Sequence, residues 1–104
     1  MEENNKIIAE FMGFTFEKNL GYYDNDMLLS QIIYDQQNGN CFNELLFDKS
    51  WDWLIVVVEK ILNICAENDD LEKYAVITDN IPYIQQTYDE CIKFINFYNK
   101  QKEE

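Results

Sequence analysis

The side chains of this sequence that could do chemistry are mostly carboxylates. The chain has 20 aspartate and glutamate residues against 8 lysines, and its formal net charge is −12. Paired carboxylates can act as general acid and base, but no spacing here selects one pair from the many possible ones. The sequence contains no histidine and no arginine, so the most common general base and the bidentate phosphate ligand are both missing. We therefore predict no catalytic residue and no enzymatic activity.

The cysteines do not change this conclusion. Cys41, Cys65 and Cys91 are far apart, and no CxxC motif occurs. A catalytic cysteine normally needs a histidine, or another group that lowers the pKa of its thiol. Cys65 and Cys91 lie in apolar patterns of helical spacing, which predicts buried free thiols. The odd number of cysteines favours a reducing compartment. We predict no cofactor and no bound metal.

Two acidic groups are better candidates for a functional surface. Asp24 and Asp26 follow Tyr22 and Tyr23 and resemble the start of an EF-hand loop, but the glycine and glutamate that such a loop needs further on are missing. The second group consists of Glu67, Asp69, Asp70 and Glu72. It could hold a hard cation if it folded back on itself, contact a basic partner, or be a solvated loop. We predict that both groups bind a partner protein, with the two tyrosines as aromatic anchors.

One long apolar segment, residues 50–66, must organise the elements that position these groups. At 100° per residue most of its polar side chains fall in one narrow stripe, so other elements must cover the rest of this helix. Its first residue, a serine, is the predicted N-cap. We predict that Leu54, Val58, Ile61 and Cys65 are nearly inaccessible to solvent.

Shorter patterns precede this helix. Residues 4–12 have an apolar helical face and are followed by Gly13, a usual residue at a left-handed helix end. Residues 14–17 alternate as a strand, and residues 19–21 mark a turn.

The region between residues 22 and 34 is ambiguous, because short apolar runs do not distinguish a strand from a helix. Residues 31–34 resemble a strand, and residues 27–33 also tolerate a helix. The Asn-Gly pair within residues 35–40 is typical of a hairpin turn, which predicts residues 42–47 as the returning strand.

After the long helix, residues 73–78 alternate in the manner of an interior strand. A turn at residues 79–82 contains the only proline, and residues 83–86 could form one more short strand. Thr87 to Glu90 matches the T-x-x-E capping box, which predicts that the last helix starts at Thr87.

Three blocks of the chain resemble a family of small phage and prophage proteins. They are KIIAEFMG at 6–13, FDKSWDWLIVVVEKI at 47–61 and CIKFINFYN at 91–99. They span the chain in order and are similar to the phage ABA-sandwich domain proteins, although Phe97 stands where that family pattern has tryptophan. The resemblance implies helices on both sides of an antiparallel sheet and supplies no catalytic residues. We thus expect one α+β domain over residues 1–104, a small sandwich of three helices and a mainly antiparallel sheet.

The acidity and the resemblance together indicate a protein that acts by stoichiometric binding. The leading hypothesis is an anti-CRISPR-like inhibitor of a host defence nuclease, bound to a basic protein surface such as that of a CRISPR effector. A phage accessory or adaptor protein without an anti-defence role is the alternative, and a small enzyme or metal-binding protein is the third class.

Charge and hydropathy also limit the partners and the location. We expect no direct binding to nucleic acid, because a strongly acidic field repels it, and no small-molecule ligand. The longest uninterrupted apolar run, residues 53–58, is too short to cross a membrane. The N-terminus is acidic, unlike a signal peptide. We therefore expect the protein in the cytoplasm of an infected or lysogenic bacterial host.

Overall fold

The computed structural model describes residues 2–17, 21–24, 41–42 and 44–103. These residues form an α+β arrangement of helices and one antiparallel sheet with strand order β1-β2-β3. In chain order the elements are α1 (Glu2–Phe11), β1 (Phe14–Glu17), β2 (Gly21–Asp24), β3 (Cys41–Phe42), α2 (Trp51–Glu67), α3 (Leu71–Thr78) and α4 (Ile84–Glu103). The described part of the chain thus has four helices where three were expected, and the sandwich arrangement stays a prediction.

The N-terminal elements follow the sequence pattern closely. The predicted helix and the strand at residues 14–17 are both present. Gly13 has φ 83° and its amide donates to the carbonyl of Glu10, which confirms the left-handed helix end. β1 pairs with β2 so that Phe16 lies opposite Tyr22. The predicted turn at 19–21 falls mostly outside the described residues, although Gly21 has the positive φ of 90° that suits it.

The predicted strand at residues 42–47 is wrong for residues 44–47. β3 ends at Phe42, which pairs with Tyr22 of β2. The amides of Lys49 and Ser50 both donate to the carbonyl of Leu46, at 3.1 and 3.0 Å, so the chain turns into α2 there instead of extending the sheet. The predictions for residues 25–40 lie outside the described residues.

The long helix α2 confirms the central prediction. Leu54, Val58, Ile61 and Cys65 are each at most 2% exposed. Ser50 occupies the N-cap position with extended backbone, but its side chain makes no capping hydrogen bond. The helix is therefore held mainly by the packing of its apolar circumference rather than by its cap.

Residues 73–78 are not a strand but the greater part of α3. Tyr74 and Ile77 are three residues apart, and in a helix this spacing turns both side chains toward the core. Ile77 is 1% exposed, whereas Val76 is 50% exposed on the other side. The run of β-branched residues at 76–78 suits a strand, but the packing of Tyr74 and Ile77 in the core favours the helix.

The last helix, α4, starts before the residue predicted from the sequence. Residues 84–86 are its first turn, so the short strand predicted over residues 83–86 is wrong. Thr87 lies inside the helix, is completely buried, and donates its hydroxyl to the carbonyl of Tyr83 at 2.9 Å. Thr87 is therefore not an N-cap. The predicted turn at residues 79–82 is present, with Asp79 and Asn80 amides bonded back to α3.

A buried polar network connects α1, the segment before α2, and α4. The hydroxyl of Tyr88 donates to Oδ1 of Asn5 at 2.8 Å. The Asn5 amide in turn donates to the carbonyl of Leu45 and to the carboxylate of Asp48, at 3.2 and 3.1 Å. Because Asn5 is 7% exposed, these bonds replace the water that its polar atoms lose on burial.

Candidate protein-binding surface

The acidic group after α2 forms a tight corner between α2 and α3, which we call the acidic corner (Glu67, Asp69, Asp70 and Glu72). The amide of Asp70 donates to the carbonyl of Cys65 at 2.8 Å, and the amide of Asp69 to that of Ala66 at 3.4 Å. This is the bonding pattern with which many helices end, and it requires a left-handed residue at the position of Asp69. Asp69 has φ 54°, which aspartate tolerates better than most residues other than glycine.

The corner turns most of its carboxylates outward. Glu67, Asp69 and Glu72 are exposed, and none of them has an ion-pair partner among the described residues. Asp70 differs, because it is half-buried and its carboxylate lies 2.7 Å from the ammonium group of Lys73. Three of the four predicted acids are therefore available to a partner, while the fourth is used within the fold.

Lys73 connects the acidic corner to a groove between α3 and α4. Its ammonium group lies 4.5 Å from the centre of the Phe97 ring, in a cation–π contact. On one side of this contact is a cleft of about 390 Å³ that reaches Asp70 and Gln101. On the other side is a cleft of about 260 Å³ that reaches Glu90. Both clefts are lined by Lys73, Phe94 and Phe97, and we call them together the α3–α4 groove.

Sequence reasoning missed this groove because it treated residues 73–78 as a strand. A strand would have placed Val76 and Ile77 on opposite faces of a sheet. In the helix, Lys73, Val76 and Ile77 follow one another at spacings of three and one and line the same cleft. A signal was available in the sequence, because Phe97 lies three residues after Phe94 and so widens the apolar face of a helix.

The predicted aromatic anchors lie in β2, away from the acidic corner. Tyr22 is half-buried, with its ring centre 5.1 Å from that of Phe16, and Tyr23 is 37% exposed. Tyr22 also lines a cleft of about 670 Å³ between α1 and β1. The side chain of Asp24 and all of Asp26 lie outside what the structure describes.

Tyr22 and Tyr23 do not form one surface with the acidic corner. The sheet meets α2 near its start, where the rings of Phe42 and Trp53 are 4.9 Å apart. The acidic corner begins at the other end of α2, at Glu67. At 1.5 Å per residue, about 20 Å of helix separates Trp53 from Glu67. A partner would have to span that length to contact both the sheet and the acidic corner.

Cys65 and Cys91 are buried and lack the environment of a nucleophile. Burial, and secondarily the charge of Asp70, raises the pKa of the Cys65 thiol above its ordinary value. Burial also raises the pKa of Cys91 to about 12. Both thiols are therefore protonated at neutral pH, and a thiol is a much weaker nucleophile than a thiolate.

Among the described residues, no group of three or more histidine, cysteine, aspartate or glutamate side chains is arranged to hold a metal ion. Over the same residues, no helix combines the length and the apolar character needed to cross a membrane. No protein-family model, curated protein or solved structure matches the chain. The resemblance to phage ABA-sandwich domain proteins therefore stays a prediction.

Proposed function

We propose that this protein acts by stoichiometric binding to a basic surface of another protein, and that its target is a host defence nuclease. The observation that carries the proposal is the acidic corner, where three exposed carboxylates have no ion-pair partner among the described residues. The formal net charge of the whole chain, −12, also favours a basic partner. Opposite charge speeds the encounter of two proteins and selects against acidic or neutral partners.

A defence nuclease suits such an inhibitor because it holds nucleic acid in a strongly basic channel. A compact acidic domain bound in or beside that channel competes electrostatically with the phosphate backbone. The inhibitor needs no catalytic group for this task, since occupying the surface is sufficient. The resemblance to phage proteins supports this target, and on the same ground we propose that the protein acts in the cytoplasm of an infected or lysogenic bacterium. A CRISPR effector is the leading candidate within this class.

A phage accessory or adaptor protein is the alternative, since the same acidic corner would serve it. The alternative predicts a basic partner among phage or replication proteins and no effect on any defence nuclease. Assay of nuclease activity in the presence of the purified protein separates the two hypotheses. We also propose the sandwich arrangement that the resemblance implies, with helices on both sides of the sheet. Such a fold would relate this chain to phage proteins.

The test is the rate of association with the purified nuclease, with and without its guide RNA, for two matched variants. In the first, Glu67 and Glu72 become lysine and Asp69 becomes asparagine, a residue that keeps the left-handed backbone accessible. Asp70 is left intact because it pairs with Lys73.

The control variant makes the same change of net charge elsewhere. Glu3 and Glu44 become lysine and Glu59 becomes glutamine, and all three are exposed positions away from the corner. We expect the corner variant to associate more slowly than the control, with a difference that shrinks as salt screens the charges. Equal slowing of both variants would mean that only the overall charge acts. No binding of the wild type to any defence nuclease of its host would refute the proposed target.

A further inference from the structure

The smaller cleft of the α3–α4 groove, the one that reaches Glu90, has an apolar floor and apolar walls that remain exposed. Its floor includes Ile77 and Phe94, which are 1% and 8% exposed. Val76 and Phe97 form its walls and are 50% and 40% exposed. Exposed aliphatic and aromatic side chains around a depression are typical of surfaces that bind another protein.

The two clefts, which meet at the Lys73–Phe97 contact, together have the length of a short helix. Its lining residues on α4 run from Glu90 to Gln101. At 1.5 Å per residue this stretch is about 16 Å long, or roughly three helical turns. An amphipathic helix of a partner binds in such a groove through side chains at spacings of three and four residues.

The charges around the groove favour a basic occupant. The two lysines that line it are both paired with acids, Lys73 with Asp70 at 2.7 Å and Lys93 with Glu90 at 3.0 Å. The acidic corner borders the end of the groove through Asp70, which belongs to both. The charges that line the groove therefore balance, and the unpaired carboxylates of Asp69 and Glu72, next in sequence to Asp70 and Lys73, attract lysine and arginine side chains to this end.

We propose that the α3–α4 groove binds a basic amphipathic helix of the partner protein. The apolar stripe of that helix packs on Val76 and Phe97, and its basic residues face the acidic corner. This inference rests on the proposed function for the basic character of the partner, but it assigns the apolar anchors to α3 and α4 rather than to Tyr22 and Tyr23. A second copy of this chain is a poor occupant, since two chains of net charge −12 repel each other.

The first test maps the binding of two synthetic peptides by NMR chemical shifts of the full chain. One is a lysine-rich peptide of about 18 residues whose leucines form a single helical stripe. The other has the same composition with the leucines scattered around the helix. We expect the first peptide to shift resonances of α3 and α4 and to bind roughly tenfold more tightly than the second. Equal affinity of the two peptides, or binding of neither, would overturn the inference.

The second test uses matched variants with the striped peptide. Val76→Lys places a charge on the groove wall, and Ile55→Lys makes the same kind of change at an aliphatic residue of α2 that is 41% exposed. We expect roughly tenfold weaker binding for the first variant and little change for the second. Val76→Ser and Ile55→Ser provide the same comparison with a smaller change, in case Val76→Lys disturbs folding. Equal affinities within each pair would contradict the groove as the binding site.

These measurements test the groove and the proposed target independently, so that one can fail while the other is supported. If the striped peptide binds in the groove but the wild type binds no defence nuclease, the groove is supported and the target is wrong. If the wild type binds and inhibits the nuclease, and Val76→Lys binds it as well as Ile55→Lys does, the target is supported and the groove is overturned.

Discussion

Two conservative substitutions at Thr87 distinguish the observed start of α4 from the start predicted by the capping box. Thr87 is completely buried inside the helix, and its hydroxyl donates to the carbonyl of Tyr83. The amide of Thr87 also donates to that carbonyl, at 3.0 Å. Removing the hydroxyl therefore leaves the carbonyl of Tyr83 with a hydrogen-bond donor.

Thr87→Val keeps the shape and the β-branch of the side chain but removes its hydroxyl. Because no buried polar group is left without a partner, we expect a change within about 0.5 kcal/mol in the free energy of unfolding. Thr87→Ser keeps the hydroxyl and removes one buried methyl group. That methyl contributes about 0.8 kcal/mol by its burial, and the small cavity adds to the loss, so we expect a cost of about 1 kcal/mol.

The capping box predicts the opposite order, since serine caps as well as threonine and valine does not cap. Under that interpretation Thr87→Val costs about 1 kcal/mol and Thr87→Ser costs little. Urea melts of the three proteins, compared by their midpoints at a common slope, measure the order directly. A serine variant that is more stable than the valine variant would refute our account of how α4 begins.

The remaining predictions concern the core, pH and metal ions. Leu54→Ala should lower the free energy of unfolding by about 2–5 kcal/mol, because Leu54 is completely buried; a loss below about 0.5 kcal/mol in urea melts would mean that α2 is oriented differently. Burial raises the pKa of Tyr88 from 10.0 to about 12 and that of Cys91 from 9.0 to about 12, so both favour the folded state while protonated. The free energy of unfolding should therefore be at its full value below pH 9 and fall as the pH rises toward 12. Tyr88→Phe should remove part of this loss above pH 10. A flat profile in denaturant melts across this range would contradict the raised pKa values of Tyr88 and Cys91. Treatment with EDTA should leave the melting temperature unchanged, and a drop of several degrees that calcium or zinc restores would reveal a structural ion.

The elements that were predictable from sequence are those whose pattern is long or is fixed by one special residue. α2 extends over 17 residues, enough for helical periodicity to exclude a strand. The end of α1 was predictable because Gly13 adopts the positive φ that its position requires. The burial of Leu54 and Ile61 follows from the same periodicity, since both lie opposite the polar stripe.

The elements that were not predictable depend on contacts distant in sequence. α3 has only 8 residues, and its β-branched side chains suit a strand as well as a helix. Its helical form becomes apparent only when Ile77 is packed in the core. In α4 the T-x-x-E sequence is present, but it does not start the helix, because Thr87 is buried one turn inside it. The groove was missed for the same reason, since it exists only when α3 is a helix beside α4.

The acidic corner was predictable as a charged group but not in its details. Its composition is plain in the sequence, whereas the pairing of Asp70 with Lys73 depends on the turn between α2 and α3. That pairing removes Asp70 from the set of available carboxylates. It also brings the ammonium of Lys73 over Phe97, which links the corner to an apolar surface.

The most direct test of the central claim is a titration of the purified defence nuclease of the host with this protein at low and high salt. Complex formation is followed by light scattering, and DNA cleavage is assayed in the same samples. Our account predicts a complex of fixed stoichiometry, loss of cleavage at the same equivalence point, and association that slows as salt rises. Full cleavage activity in the presence of excess protein, with no complex at either salt concentration, would contradict it.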